Sequence, residues 1–111
     1  MKKLIALLLV SSVLCSCSSK SPSVRVRNEL STKVNVSLNP SSGSAVTINE
    51  VLAGTTSGYT NIPDGSYSVH AAVSSGTNPA DINFTAEKDK NYTIVVVAGN
   101  PPTIRVDVAD K

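Results

Sequence analysis

The sequence predicts an all-β fold, an antiparallel immunoglobulin-like or prealbumin-like sandwich of seven or eight strands. Three observations carry that expectation. Short runs alternate apolar and polar residues with period two, the pattern of strands with one buried and one wet face. The breaks between runs hold proline, glycine, asparagine and serine. No window carries an apolar stripe of helical period.

The elements follow in order. Val24 and Val26 alternate with Arg25 and Arg27. Val34, Val36 and Leu38 alternate with Asn35 and Ser37, and Asn39-Pro40-Ser41-Ser42-Gly43 turns the chain. Val46 and Ile48 alternate with Thr47 and Asn49. A weaker run over 56–62 is a candidate extra strand. Pro63-Asp64-Gly65 suits a type I turn, with proline second and glycine fourth. It leads into Tyr67, Val69, Ala71 and Val73, which alternate with Ser66, Ser68, His70 and Ala72. After a polar loop over 74–79, Ile82 and Phe84 alternate with Asp81, Asn83 and Thr85. Residues 92–98 are the most apolar run. Asn100-Pro101-Pro102 must be a connection, because two prolines cannot donate to a ladder. Ile104, Val106 and Val108 then alternate with Arg105 and Asp107.

Tyr92 opens the apolar run just after the polar corner 87–91. Its hydroxyl can bond back to the corner backbone, as in the tyrosine corner of immunoglobulin-like sandwiches, or it is an ordinary half-buried strand tyrosine. Both roles are structural.

Ahead of the strands lies an export signal. Lys2 and Lys3 form a basic start, residues 4–10 are unbroken apolar, and small or polar residues follow. The apolar run falls far short of the roughly 20 residues a spanning helix needs, so 1–16 reads as a signal peptide. Leu14-Cys15-Ser16-Cys17 resembles a bacterial lipoprotein lipobox: an aliphatic residue, a small residue before the cut, then cysteine. The resemblance implies cleavage before Cys17 and acylation of its thiol and new amino group. It also implies the outer membrane, because Ser18 stands where an aspartate would favour inner-membrane retention. Two alternatives stand beside it. Cys15 could be the modified residue, with bulky Leu14 before the cut. A Cys15–Cys17 disulfide would close a strained ring. Residues 17–23 then form the lipidated cysteine and a polar tether, and 24–111 the sandwich domain.

Charge and composition narrow the function. The chain has ten Lys and Arg against eight Asp and Glu; without Lys2 and Lys3, eight face eight and the formal charge is zero. Such a domain has no electrostatic reason to bind nucleic acid, and its membrane contact falls to the acyl chains. Once Cys17 is acylated, no thiol is left for a disulfide, a zinc site or a nucleophile. His70 is the only histidine. It shares a strand face with Ser66 and Ser68 and is expected to point to solvent. No serine sits in a Gly-x-Ser-x-Gly elbow, one imidazole cannot fill a zinc shell, and Asp64, Asp81 and Asp89 lack calcium-loop spacing. The expectation is therefore no enzyme, no cofactor and no metal.

Two features remain for recognition. The chain has no Trp, three Tyr and one Phe. Tyr67, Phe84 and Tyr92 fall on inward faces, which leaves Tyr59 as the ring free to stack on a sugar. Thr93, Val95 and Val97 form a second, largely apolar face of the 92–98 run. Val95 and Val97 either lie under a loop or crossing strand, or form a patch that docks a partner protein or a second copy.

Three stretches together are familiar: Leu52-Ala53-Gly54-Thr55-Thr56-Ser57-Gly58-Tyr59, then Ile62-Pro63-Asp64-Gly65-Ser66-Tyr67-Ser68-Val69, then Glu87-Lys88-Asp89-Lys90-Asn91-Tyr92-Thr93-Ile94-Val95. They resemble a family of exported prokaryotic β-sandwich domains of unknown function, with a (Pro)-x-Gly-x-Tyr-x-Val turn and a later Tyr-Thr-hydrophobic-Val strand. Where members carry a His-Ala-Ser-Pro-type segment after the first strand, this chain reads Asn28-Glu29-Leu30-Ser31-Thr32. The opening Val24-Arg25-Val26-Arg27-Asn28 is also similar to small periplasmic accessory proteins of alginate O-acetylation. The first resemblance implies a fold and no activity. The second implies binding of envelope or extracellular polysaccharide. The expected function is a lipid-anchored envelope module with a structural or protein-interaction role, the alternative a polysaccharide-binding accessory.

Overall fold

The computed structural model describes residues 19–74 and 76–111. Cys17 and the signal peptide lie outside the described residues. Eight strands follow one another: β1 (Ser23–Asn28), β2 (Val34–Pro40), β3 (Val46–Val51), β4 (Thr60–Asn61), β5 (Gly65–Val73), β6 (Ile82–Ala86), β7 (Lys90–Val97) and β8 (Thr103–Asp110). They form two four-stranded sheets, β4-β1-β7-β8 (sheet A) and β3-β2-β5-β6 (sheet B). Among the described residues there is no helix. Each expected run became a strand. The weak 56–62 run gives only β4 and an isolated bridge between Arg27 and Thr56.

The expectation of a wholly antiparallel sandwich needs correcting. β1 runs parallel to β7, from Ser23 opposite Asn91 to Asn28 opposite Val96, so sheet A is mixed. Alternation tells which face a residue takes but is blind to strand direction. Parallel neighbours are joined by long crossovers, so no local turn announces them.

The core lies between the sheets. Val24, Val26, Ile94 and Val96 of sheet A meet Val34, Val36, Leu38, Val69 and Ala71 of sheet B, all with no exposed surface. The set is mostly β-branched, which suits a pleated, packed surface. Tyr67, Phe84 and Tyr92 stack in series, with ring centroids 5.7 and 5.1 Å apart, and bridge the two sheets. Each tyrosine also ties down its own preceding turn. The Glu87 N–H donates to Tyr92 Oη at 2.8 Å, so the corner bond forms. Tyr67 Oη donates to the Pro63 carbonyl. Burial, and then the nearby Asp64 carboxylate, hold the Tyr67 phenol above its usual pKa. The turn between them ends on Gly65 at φ +140°, a conformation that favours glycine.

Residues of the expected tether are already fixed to the domain. β1 begins at Ser23, and Pro22 is fully buried. Asp89 grips Lys20 twice: its Oδ1 accepts the Lys20 N–H and its own N–H donates to the Lys20 carbonyl, both at 2.8 Å. The Asp89 carbonyl also accepts the Lys111 N–H at 3.0 Å. The start of the domain, the β6–β7 turn and the C-terminal residue therefore meet at one end of the sandwich.

Candidate functional site

The outer face of sheet A carries Val95 and Val97, and Tyr59 joins it through Arg25 of β1. Register sets two rows across it. Arg25, Thr93 and Asp107 are direct neighbours on β1, β7 and β8, and so are Arg27, Val95 and Arg105. Arg25 Nε donates to Thr93 Oγ1 at 3.0 Å, and its guanidinium lies 4.7 Å from the centroid of the Tyr59 ring. Tyr59 remains 47% exposed, so one ring face carries a cation and the rest meets solvent. Arg27 pairs with Glu29 at 3.2 Å and donates to Thr56 Oγ1 at 3.1 Å. Arg105 holds Asp107 with two bonds, at 2.9 and 3.1 Å.

Val95 is only 1% exposed although it faces away from the inter-sheet core. Its cross-strand neighbours are Arg27 and Arg105, whose charged heads reach Glu29 and Asp107 and whose long aliphatic stems can cover apolar surface. Val97 is half-buried beside Thr103 at the end of the strand. The outward surface of this face thus combines guanidiniums, the Glu29 and Asp107 carboxylates, a phenol ring, threonine and the half-buried Val97. Arg25 is the one of the three arginines here with no carboxylate among its bonded partners.

Neither a family model nor a curated protein matches this chain.

Elsewhere, among the described residues, no buried side-chain polar atom lacks a hydrogen-bond partner. His70 Nδ1 lies 2.8 Å from Asp81 Oδ1, with both side chains partly exposed. Ser37 is the cross-strand neighbour of His70, but no hydrogen bond joins them. An imidazole oriented by a carboxylate but not touching a hydroxyl lacks the contact that makes a serine nucleophilic. Among the described residues, no three His, Cys, Asp or Glu side chains gather as a metal site. Asn28 is completely buried. Its Nδ2 donates to the Thr32 and Val51 carbonyls at 2.8 and 2.9 Å, and its Oδ1 accepts the Leu30 N–H at 2.8 Å. It replaces the missing backbone partners of the β1–β2 loop.

Sequence reasoning missed the Arg25–Tyr59 stack, the His70–Asp81 pair and the Lys20–Asp89 clamp. For His70 the signal was present in principle. Val69 pairs with Ile82, so His70 and Asp81 are the next rung of the same antiparallel ladder. The loop between β5 and β6 carries no tight-turn motif to fix that register.

Proposed function

We propose that this chain is a lipid-anchored, non-catalytic module of the bacterial cell envelope, acting in protein interaction or envelope structure close to its membrane. An immunoglobulin-like type of sandwich is part of this reading. The hydroxyl of Tyr92 bonded to its corner supports it. The observation that carries the proposal is the junction between signal and domain. The lipobox-like Leu14-Cys15-Ser16-Cys17 stands three residues ahead of Lys20, which Asp89 already fixes to the sandwich. Three residues reach about 10 Å, so an acyl chain on Cys17 would hold the domain against the bilayer, the outer membrane being favoured. The test is acyl labelling with membrane fractionation. Cys17→Ser is expected to lose the label and leave the membrane fraction. If only Cys15→Ser does so, the anchor is the other cysteine; if neither does, the reading fails.

A second reading, a polysaccharide-binding accessory, draws support from one observation. The exposed Tyr59 ring beside Arg25 offers a stacking face next to a cation, a combination suited to an acidic sugar. Tyr59→Ala is expected to abolish any signal on an array of acidic glycans. Signal that survives the substitution removes Tyr59 from the site.

A further inference from the structure

The four sheet edges are not alike. β4 is two residues long and β6 is five. β3 is longer, but its pairing with β2 shifts register between Val34 and Val36, and Glu50 near its end takes a left-handed φ of 58°. Short, bulged or irregular edges are how sheets avoid pairing with other chains. β8 has none of these devices. Its eight residues pair with β7 rung by rung from Thr103 to Asp110, without a shift and without proline or lysine. Among the described residues, no backbone group of 103–110 bonds to any element other than β7. The inward side of β8 is also poorly covered. Ile104 and Val106 are only partly buried, and Val108 is 58% exposed.

The side chains of β8 are complementary to themselves. In an antiparallel pairing of two copies centred on Val106, Val106 meets Val106 and Ile104 meets Val108 on the inward side. On the outward side Arg105 meets Asp107, twice by symmetry. Directly opposed residues of antiparallel strands share a face, so this one register satisfies both faces at once. Within each copy Arg105 and Asp107 are already bonded. Across the edge the four charges would alternate in a square, each guanidinium between two carboxylates. A hydrogen bond from Arg105 holds the Asp107 carboxyl below the usual carboxylate range, so both groups stay charged at neutral pH.

We infer that β8 pairs edge to edge with β8 of a second copy of this chain, joining two sheets A into one continuous eight-stranded sheet. This names the partner within the interaction-module reading and rests on that reading, but not on acylation of Cys17. The pairing has a geometric consequence. The Lys20 ends of the two copies lie at opposite ends of the joined strands, about 27 Å apart for an eight-residue strand. With both anchors in one membrane, the strands therefore lie along the bilayer. The two-fold axis stands normal to the sheet, so both copies turn the same face toward the lipid.

Charge reversal tests the register. Two differently tagged copies of the full-length chain are co-expressed and extracted in mild detergent, and co-purification is measured. The wild type is expected to co-purify with itself. Arg105→Asp places carboxylates opposite carboxylates, and Asp107→Arg places guanidiniums opposite guanidiniums. Each alone is expected to lose self-pairing by about tenfold or more. A copy carrying Arg105→Asp is expected to pair with a copy carrying Asp107→Arg, because opposite charges again face each other. Circular dichroism of each variant verifies its fold. As a check that leaves the charges intact, Val106→Cys is expected to give a crosslinked dimer with a short thiol reagent. Thr103→Cys is not, its two sites lying about 20 Å apart. A monomeric wild type, reversals that self-pair normally, or complementary copies that fail to pair would each overturn the inference. Failure of the anchor reading shows separately, as Cys17→Ser protein that remains on the membrane.

Discussion

Asn28 shows how much one side chain can hold in a small domain without a disulfide. It is the buried amide of the core and its three bonds close the β1–β2 loop over the end of the sandwich. Asn28→Ala strands two carbonyls and one N–H where water is scarce. The loss is expected to be about 3 kcal/mol of unfolding free energy, because unpaired buried polar groups are costlier than the bonds themselves are stabilising. Urea unfolding measures it, and a loss below about 1 kcal/mol would mean that water replaces the amide. The sequence placed Asn28 at the end of a strand, where an asparagine more often signals a turn. Its burial depends on Thr32 and on Val51 of a different strand, which no local pattern relates to it.

At the scale of elements, faces were legible and pairings were not. The alternating valines of β1, β2 and β5 assigned their own inward sides, because apolar side chains leave water whatever strand lies beside them. The Pro63-Asp64-Gly65 turn and the corner before Tyr92 were legible for a similar reason, since each is written in contiguous residues. β1 beside β7 was not, being a contact between opposite ends of the domain. The double-apolar face of β7 shows the same boundary. Val95 looked like a residue awaiting a lid or a partner, and it is buried in a row whose neighbours are Arg27 and Arg105 on two different strands. Read alone, those arginines are charges; placed beside a valine, their stems are apolar cover. Tyr59 followed suit: it was identified as an exposed ring, while the cation that covers one of its faces had to be supplied by the fold.

At the scale of the whole molecule, the start of the domain, the β6–β7 turn and Lys111 are gathered at one end, the end that would face the membrane on the proposed reading. Asp89 sits in a tight turn at φ 66°, a conformation aspartate tolerates better than most residues. From there it binds both the incoming chain at Lys20 and the last residue, Lys111. Without this clamp, Lys20 would belong to the tether, and the distance from Cys17 to the first fixed residue would grow to Pro22 or Ser23. If Cys17 is the anchor, as proposed, the clamp would set both how closely the domain is held and how exposed its attachment is. Trypsin cuts after lysine only when the backbone can open into its active site, so cleavage after Lys20 reports the local opening of this end. Asp89→Ala removes the side-chain acceptor and places a less tolerant residue at positive φ, while the core between the sheets is untouched. The expected outcome is release of an intact domain from membranes about tenfold faster at low trypsin, the change that corresponds to weakening the local clamp by about 1.4 kcal/mol. Circular dichroism of the released domain should match the wild type. Release at the wild-type rate would show that Pro22 and Ser23 alone hold the entry strand, and that the Asp89 contacts follow from the fold without fastening it.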